Sequence, residues 1–250
     1  MKKTSEPLRH TITAIIPAFD EEKTVADVLT CVTTSGLIDE VICINDASSD
    51  GTREILNSFK ESVRIKHLKI NKGKGYAIAE GVNMAKGDIV IFLDADLINF
   101  SKTHIKMLLE PVLNKGYVGT VGFITGFPPK RWKYIFSQSI GGQRVYYKKD
   151  LIKHLPEMKK SRFGIEILLN DLFEKKKIKK VILKNLDHLL KHEKYKGTKM
   201  IKETVKEVRE VGQTIVKRHL TMPSQQALKR QTKYIKRVQK LTRDISKNLR

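Results

Sequence analysis

The chain has 250 residues, 40% of them hydrophobic, which suffices for a full core in one large domain or one domain with an appendage. Its formal net charge is +22, and its two cysteines, Cys31 and Cys43, exclude a disulfide framework and lead us to expect buried, reduced thiols. The first eleven residues are polar and uninterrupted apolar runs reach only about five residues, against roughly 20 for a membrane span, so we expect neither a leader nor a spanning helix and a cytoplasmic location.

Up to about residue 100 the pattern alternates between strand and helix. Thr11 to Ile16 reads as a strand, and Glu21 to Thr34 as a helix with Val25, Val28, Leu29 and Val32 on one face. Val41 to Ile44 is a second strand, followed by a helix over Thr52 to Lys60. Val63 to Leu68, Tyr76 to Ala85 and Ile89 to Leu93 complete the series as strand, helix and strand. Such alternation predicts a mainly parallel sheet with helices on both faces. Ligands gather at the carboxyl ends of the strands in such folds.

The residues with chemistry fall at those ends. Asp94-Ala95-Asp96 follows the apolar run Ile89 to Leu93 and places two carboxylates one residue apart, an arrangement suited to Mg²⁺ or Mn²⁺ and, through it, a diphosphate. The competing reading makes Asp96 or Asn99 the cap of a helix starting near Ser101. After the first strand comes Pro17-Ala18-Phe19-Asp20-Glu21-Glu22, which can offer an aromatic edge and the Glu21 carboxylate to a base or ribose, or start a helix with Asp20 as N-cap. The second strand leads into Asn45-Asp46-Ala47-Ser48-Ser49-Asp50-Gly51-Thr52. There Asp46 can accept from an imide N–H of uracil, and Asp50 reads better as a cap. Asn71-Lys72-Gly73-Lys74-Gly75 lacks the P-loop spacing, but its lysines can meet nucleotide oxygens at a helix start.

Four such blocks in order resemble the inverting family 2 glycosyltransferases, polyprenyl-phosphate glycosyltransferases among them. The family's N-terminal half reads strand-Pro-x-(Tyr/Phe)-Asn-Glu-Glu, strand-Asp-Asp-x-Ser-x-Asp-Gly-Thr, Asn-x-Gly-Lys-Gly and strand-Asp-x-Asp. The likeness is close from Ile12 to Leu97 and looser to about Tyr195, and Asn45 departs from it where the family carries Asp. It implies a GT-A-type, Rossmann-like α/β/α sandwich. Pro17, Phe19, Glu21, Asp46, Lys72, Lys74, Asp94 and Ala95 would then bind a nucleoside-diphosphate sugar, with uridine as the expected nucleoside. Asp94, Asp96 and His188 would hold Mg²⁺ or Mn²⁺. In the segment Gly141-Gly142-Gln143-Arg144, the resemblance aims Arg144 at the pyrophosphate, although a structural salt bridge is the alternative. In Phe163-Gly164-Ile165-Glu166 it makes Glu166 the general base, with Asp171 in reserve and a buried ion pair as the other reading of Glu166.

Charge divides the chain. Residues 1–174 carry 25 Lys/Arg against 21 Asp/Glu, whereas residues 175–250 carry 24 against 6. The expected organisation is a catalytic domain over 1–195 and a basic amphipathic helical extension over 196–250, where Ile201, Val205, Val208 and Ile215 form one apolar face and Tyr234, Val238, Leu241 and Ile245 another. That extension can pack on the catalytic domain, form a homodimer or lie on an anionic membrane, the last being preferred because it suits a lipid-linked acceptor at the inner face. Two other classes stay open. A nucleic-acid-binding protein fits the charge, but no base-reading motif supports specific nucleic acid binding. A nucleotidyltransferase fits the metal carboxylates, but Pro17 to Glu22 is acidic where those enzymes carry a glycine-rich loop.

Overall fold

The computed structural model describes residues 10–124 and 141–189. Strands β1 (Ile12–Ala18), β2 (Glu40–Asn45) and β4 (Ile89–Phe92) are buried almost throughout, as their near-continuous apolar sequences require of strands covered on both faces. With β3 (Arg64–His67), β6 (Gly119–Ile124), β7 (Arg144–Tyr147) and β8 (Ile178–Leu183) they form a seven-stranded sheet in the order β3-β2-β1-β4-β7-β6-β8. Pairing is parallel from β3 through β4 and between β6 and β8; only β7 runs against its neighbours. A two-residue strand, β5 (Leu97–Ile98), pairs antiparallel with β9 (Asp187–His188).

Helices cover both faces. Helices α1 (Val25–Thr34), α2 (Thr52–Ser58) and α4 (Lys102–Asn114) bury Val28, Leu29, Leu56, Ile105 and Leu108 against one side. On the other lie α3 (Lys74–Met84), α5 (Lys148–Ile152), α6 (Leu155–Lys160) and α7 (Ile165–Leu172), contributing Ile78, Val82, Leu151, Met158 and Leu168. Helix α3 packs tightly on β1 at Gly81, where a Cβ would lie 2.3 Å from Ile15 Cγ2.

The chain moves outward from β1 to β3 and then returns to place β4 on the other side of β1. Loops after β1 and β4 therefore diverge and open a crevice at the carboxyl ends of the strands. Both Pro17 to Glu22 and Asp94 to Asp96 lie at that switch point.

Several boundaries differ from the sequence reading. Helix α1 begins at Val25 rather than Glu21: Asp20 is left-handed (φ 54), and residues 22–24 form a turn in which the Thr24 and Val25 amides both donate to the Glu21 carbonyl. The N-cap of α4 is Ser101, whose backbone N–H donates to His104 Nδ1 at 3.1 Å, so neither Asp96 nor Asn99 caps it. Strand β8 was not expected, since Ile-Lys-Lys-Val-Ile-Leu breaks strict alternation; its lysines lie exposed at the sheet edge, where charge blunts further pairing. The extension over 196–250 lies outside the described residues.

Candidate active site

The loops after β1 and β2 are knitted together by hydrogen bonds. Asp20 Oδ1 accepts the Ser49 amide at 2.7 Å, and the Asp20 amide donates to Ser48 Oγ at 3.0 Å. Alongside, the Glu21 amide donates to Thr52 Oγ1 at 2.7 Å, and Glu22 Oε2 accepts from the Gly51 amide at 2.8 Å. Asp20 therefore ties one loop to the other and is not the cap of α1. Asp50 is not the N-cap of α2, which is Gly51 with no side-chain cap bond; one residue earlier, its Oδ1 accepts the Thr52 amide at 3.1 Å in an Asx-type turn that leads into the helix. Pro17, near the end of β1, and Phe19, just after it, are half-buried, and Glu21 is buried.

Asp46 takes a different position from the one expected of a base contact. Its two carboxylate oxygens accept the consecutive amides of Lys72 and Gly73, each at 2.7 Å, and the side chain is buried. Gly73, the N-cap of α3, then turns the chain into the helix through a left-handed φ of 90 that favours glycine. The amino terminus of α3 thus already holds an anion, and the attraction expected there for substrate phosphates is met by the protein's own carboxylate. Asn45 is also engaged: its Nδ2 faces His67 Nδ1 at 3.1 Å and its Oδ1 accepts the Ser48 amide at 2.9 Å.

Lys72 rests on Tyr76, its Nζ 4.3 Å from the ring centroid. Arg162, which the sequence reading passed over, stands on the other side of the same loop. Its guanidinium donates to the Lys72 carbonyl and to Asn71 Oδ1, both at 3.4 Å, and its backbone is left-handed (φ 47). The available signal was a basic residue placed just before the Gly164-Ile165-Glu166 segment.

Lys74 lies at the centre of the charged cluster. From the first turn of α3 its Nζ reaches Asp94 Oδ1 at 2.6 Å and Glu166 Oε1 at 2.7 Å. Burial alone would favour the neutral amine, but the two carboxylates hold its pKa well above the ordinary lysine value. Burial would likewise raise Glu166, yet Lys74 and, more weakly, Arg144 hold that carboxyl below its usual range. Glu166 is therefore the buried ion pair, and a carboxylate so stabilised is a weak proton acceptor. Asp171 is exposed, and five residues along the helix turn it roughly 140° away from Glu166, outside this cluster.

Arg144 also departs from expectation. Only 1% exposed, it donates from Nε to the Gly141 carbonyl at 2.6 Å and from Nη1 to Asn170 Oδ1 at 2.8 Å, so it braces the interior behind Glu166. Its place follows from the register of β7, which sets it opposite Phe92 of β4 inside the sheet.

The β5-β9 pairing completes the site. It sets His188 beside Leu97, and the Leu189 amide donates to the Asp96 carbonyl at 2.9 Å. His188 Nδ1 lies 2.8 Å from Asp96 Oδ1, and one atom each of Asp94, Asp96 and His188 fall within 4.8 Å of one another. Burial would lower the His188 pKa, but Asp96 and Asp94 raise it, a field that also favours a bound cation. Two carboxylates and an imidazole form a donor set that fits a divalent ion of the Mn²⁺ or Mg²⁺ kind.

A mainly parallel sheet with helices on both faces and a donor cluster at its switch point defines an α/β protein of the GT-A type. The family model described as Glycosyl transferase family 2 matches residues 13–182, and the chain belongs to that family. Among curated proteins it is 34% identical over 110 residues to the glucosyl-3-phosphoglycerate synthase of Mycolicibacterium paratuberculosis, a match covering 41% of this chain and 33% of that protein. It is 38% identical over 125 residues to the poly-beta-1,6-N-acetyl-D-glucosamine synthase of Staphylococcus epidermidis, covering 49% and 29% respectively. The chain thus matches about a third of the length of these relatives. Among solved structures, glucosyl-3-phosphoglycerate synthase from Mycobacterium tuberculosis in complex with Mn²⁺, uridine diphosphate and phosphoglyceric acid is 23% identical. That match has a TM-score of 0.66 and covers 86% of this chain and 80% of that one. A second structure of that enzyme, with Mg²⁺ and uridine diphosphate, matches with a TM-score of 0.66 over 86% and 81%.

Proposed function

We propose that this protein is a metal-dependent inverting glycosyltransferase that moves a sugar from a uridine-diphosphate sugar to an acceptor bearing a phosphate. The convergence of Asp94, Asp96 and His188 from distant parts of the chain carries this reading. Its support is family membership, together with the uridine diphosphate and Mn²⁺ or Mg²⁺ named for the solved relatives. Asp96 and His188 would hold the cation and Asp94 would complete the set; when bound, it neutralises charge on the departing diphosphate. Pro17, Phe19 and Glu21 would border the nucleoside. Asp46 would act indirectly, by fixing the loop that carries Lys72 and Lys74. Lys74 would hold Asp94 and Glu166 in place, and Glu166 would position substrate rather than accept its proton.

Phosphate on the acceptor accords with the phosphoglyceric acid named for the relative and equally with a lipid-linked phosphate. The basic C-terminal third, from the exposed lysines 175, 176, 177, 179 and 180 onward, favours docking on an anionic membrane surface, and the same segment is open to homodimer formation. No helix among the described residues is long and apolar enough to cross a membrane.

Calorimetric titration in Mn²⁺ tests the donor: uridine diphosphate should bind more tightly than guanosine diphosphate, and Asp96→Ala should remove the Mn²⁺ dependence without unfolding the chain. Turnover of uridine-diphosphate glucose with 3-phosphoglycerate or with a polyprenyl phosphate separates the two acceptors. Metal-independent nucleotide binding by a wild-type protein would refute the reading.

A further inference from the structure

Asp94 is gripped from two sides. Lys74 draws on Oδ1, while Gln143 Nε2 donates to Oδ2 at 3.0 Å. Gln143 is 1% exposed, and its backbone carbonyl accepts the Gly122 amide at 2.8 Å, which pins the segment to β6. Only the NH₂ end of the Gln143 amide can face a carboxylate, so the orientation of that side chain is fixed. One residue earlier, a Cβ on Gly142 would lie 1.9 Å from Asp94 Oδ2. The register explains both contacts. Phe92 of β4 faces Arg144 of β7, and continuing that antiparallel pairing sets Asp94 opposite Gly142.

We propose that Gly142 and Gln143 form the rear wall of the cation site and fix the plane of the Asp94 carboxylate, which makes Gln143 a positioning residue. Two donors on two different oxygens define that plane. Without the second donor, the carboxylate is free to turn and chelate the Lys74 ammonium with both oxygens, away from Asp96 and His188. Gly142 acts sterically, because any side chain there drives Oδ2 out of its position. This proposal rests on the cation reading above, and it goes further by assigning work to two residues that act through Asp94 rather than as ligands of the cation.

The test uses the full chain with uridine diphosphate, and reads Mn²⁺ affinity from free Mn²⁺ by electron paramagnetic resonance and stability from a metal-free thermal melt. Gln143→Met keeps the length and volume of the side chain but removes the donor; Gly142→Ala adds one methyl group. Both should weaken Mn²⁺ binding by about 10–100-fold, as loss of an outer partner of a metal ligand does elsewhere. If Gln143→Met lowers the melting temperature yet binds Mn²⁺ as tightly as wild type well below its melt, Gln143 is merely structural and the proposal is overturned. If Gly142→Ala does not fold, Gln143→Met alone decides. Should wild type bind no more Mn²⁺ than Asp96→Ala, the cation reading itself is wrong. That outcome is distinct from wild-type binding with unaffected variants, which sinks only the positioning role.

Discussion

Replacing Lys74 by Met tests the central ion cluster. Its Nζ lies 2.6 Å from Asp94 and 2.7 Å from Glu166, and both carboxylate side chains are at most 15% exposed. Removing the cation strands two buried like charges, and breaking such pairs costs about 3–5 kcal/mol. At about 2–4 °C per kcal/mol for a chain of this size, the melting temperature should fall by about 6–20 °C at neutral pH. The loss should depend on pH in a defined direction. In the wild type the Glu166 pKa lies below its unfolded value of about 4.3, so its stabilisation is present above that pH and is lost as pH falls through the folded value. In Lys74→Met burial raises the Glu166 pKa instead, and the penalty it then imposes is present at neutral pH and fades as pH falls towards about 4.3. The gap between the melts of the two proteins should therefore narrow from pH 8 to pH 4, without closing while the wild-type Glu166 remains ionised. A variant that melts within about 1 °C of wild type at pH 7, where the smallest expected loss is several degrees, would refute the reasoning.

Two further outcomes concern the scaffold. Glu80 of α3, 6% exposed, accepts from Lys66 at 2.5 Å and from Lys159 at 2.6 Å, and Glu80→Gln should cost about 1–2 kcal/mol in urea unfolding, limited because both lysines are partly solvated. Gly81→Ala should destabilise despite a helix-propensity gain of up to about 1 kcal/mol, since a Cβ 2.3 Å from Ile15 Cγ2 overpacks the core at a cost of about 1–3 kcal/mol; equal or higher stability by urea unfolding would contradict that packing.

The N-terminal half was legible because its signals are local. Strands β1, β2 and β4 declare themselves by apolar runs, and Asp94 and Asp96 are placed by the end of such a run whatever the rest of the fold does. Of the two local uses open to an acid before a helix, the cap reading of Asp20 fails because its partners, Ser48 and Ser49, lie on another loop almost 30 residues away, which no local pattern shows. Helices α5 and α6, of five and six residues, are too short to show a helical period, and β8 reads as a lysine run.

The pairing of charges was not legible, and the reason is physical. A sequence shows that Lys74, Asp94, Arg144 and Glu166 exist, but which cation meets which carboxylate depends on strand register and helix packing between segments about 20 to 90 residues apart. Resemblance aims Arg144 at the pyrophosphate, with a structural role as the alternative; its register in β7 opposite Phe92, which buries it, is not written in its neighbours. His188 was placed through resemblance, and its approach to Asp96 depends on only two residues of β9 meeting two of β5. A ribbon that short has little stability of its own. The attraction between His188 and the two carboxylates therefore helps to hold the ribbon closed, so the donor cluster and the local fold support each other.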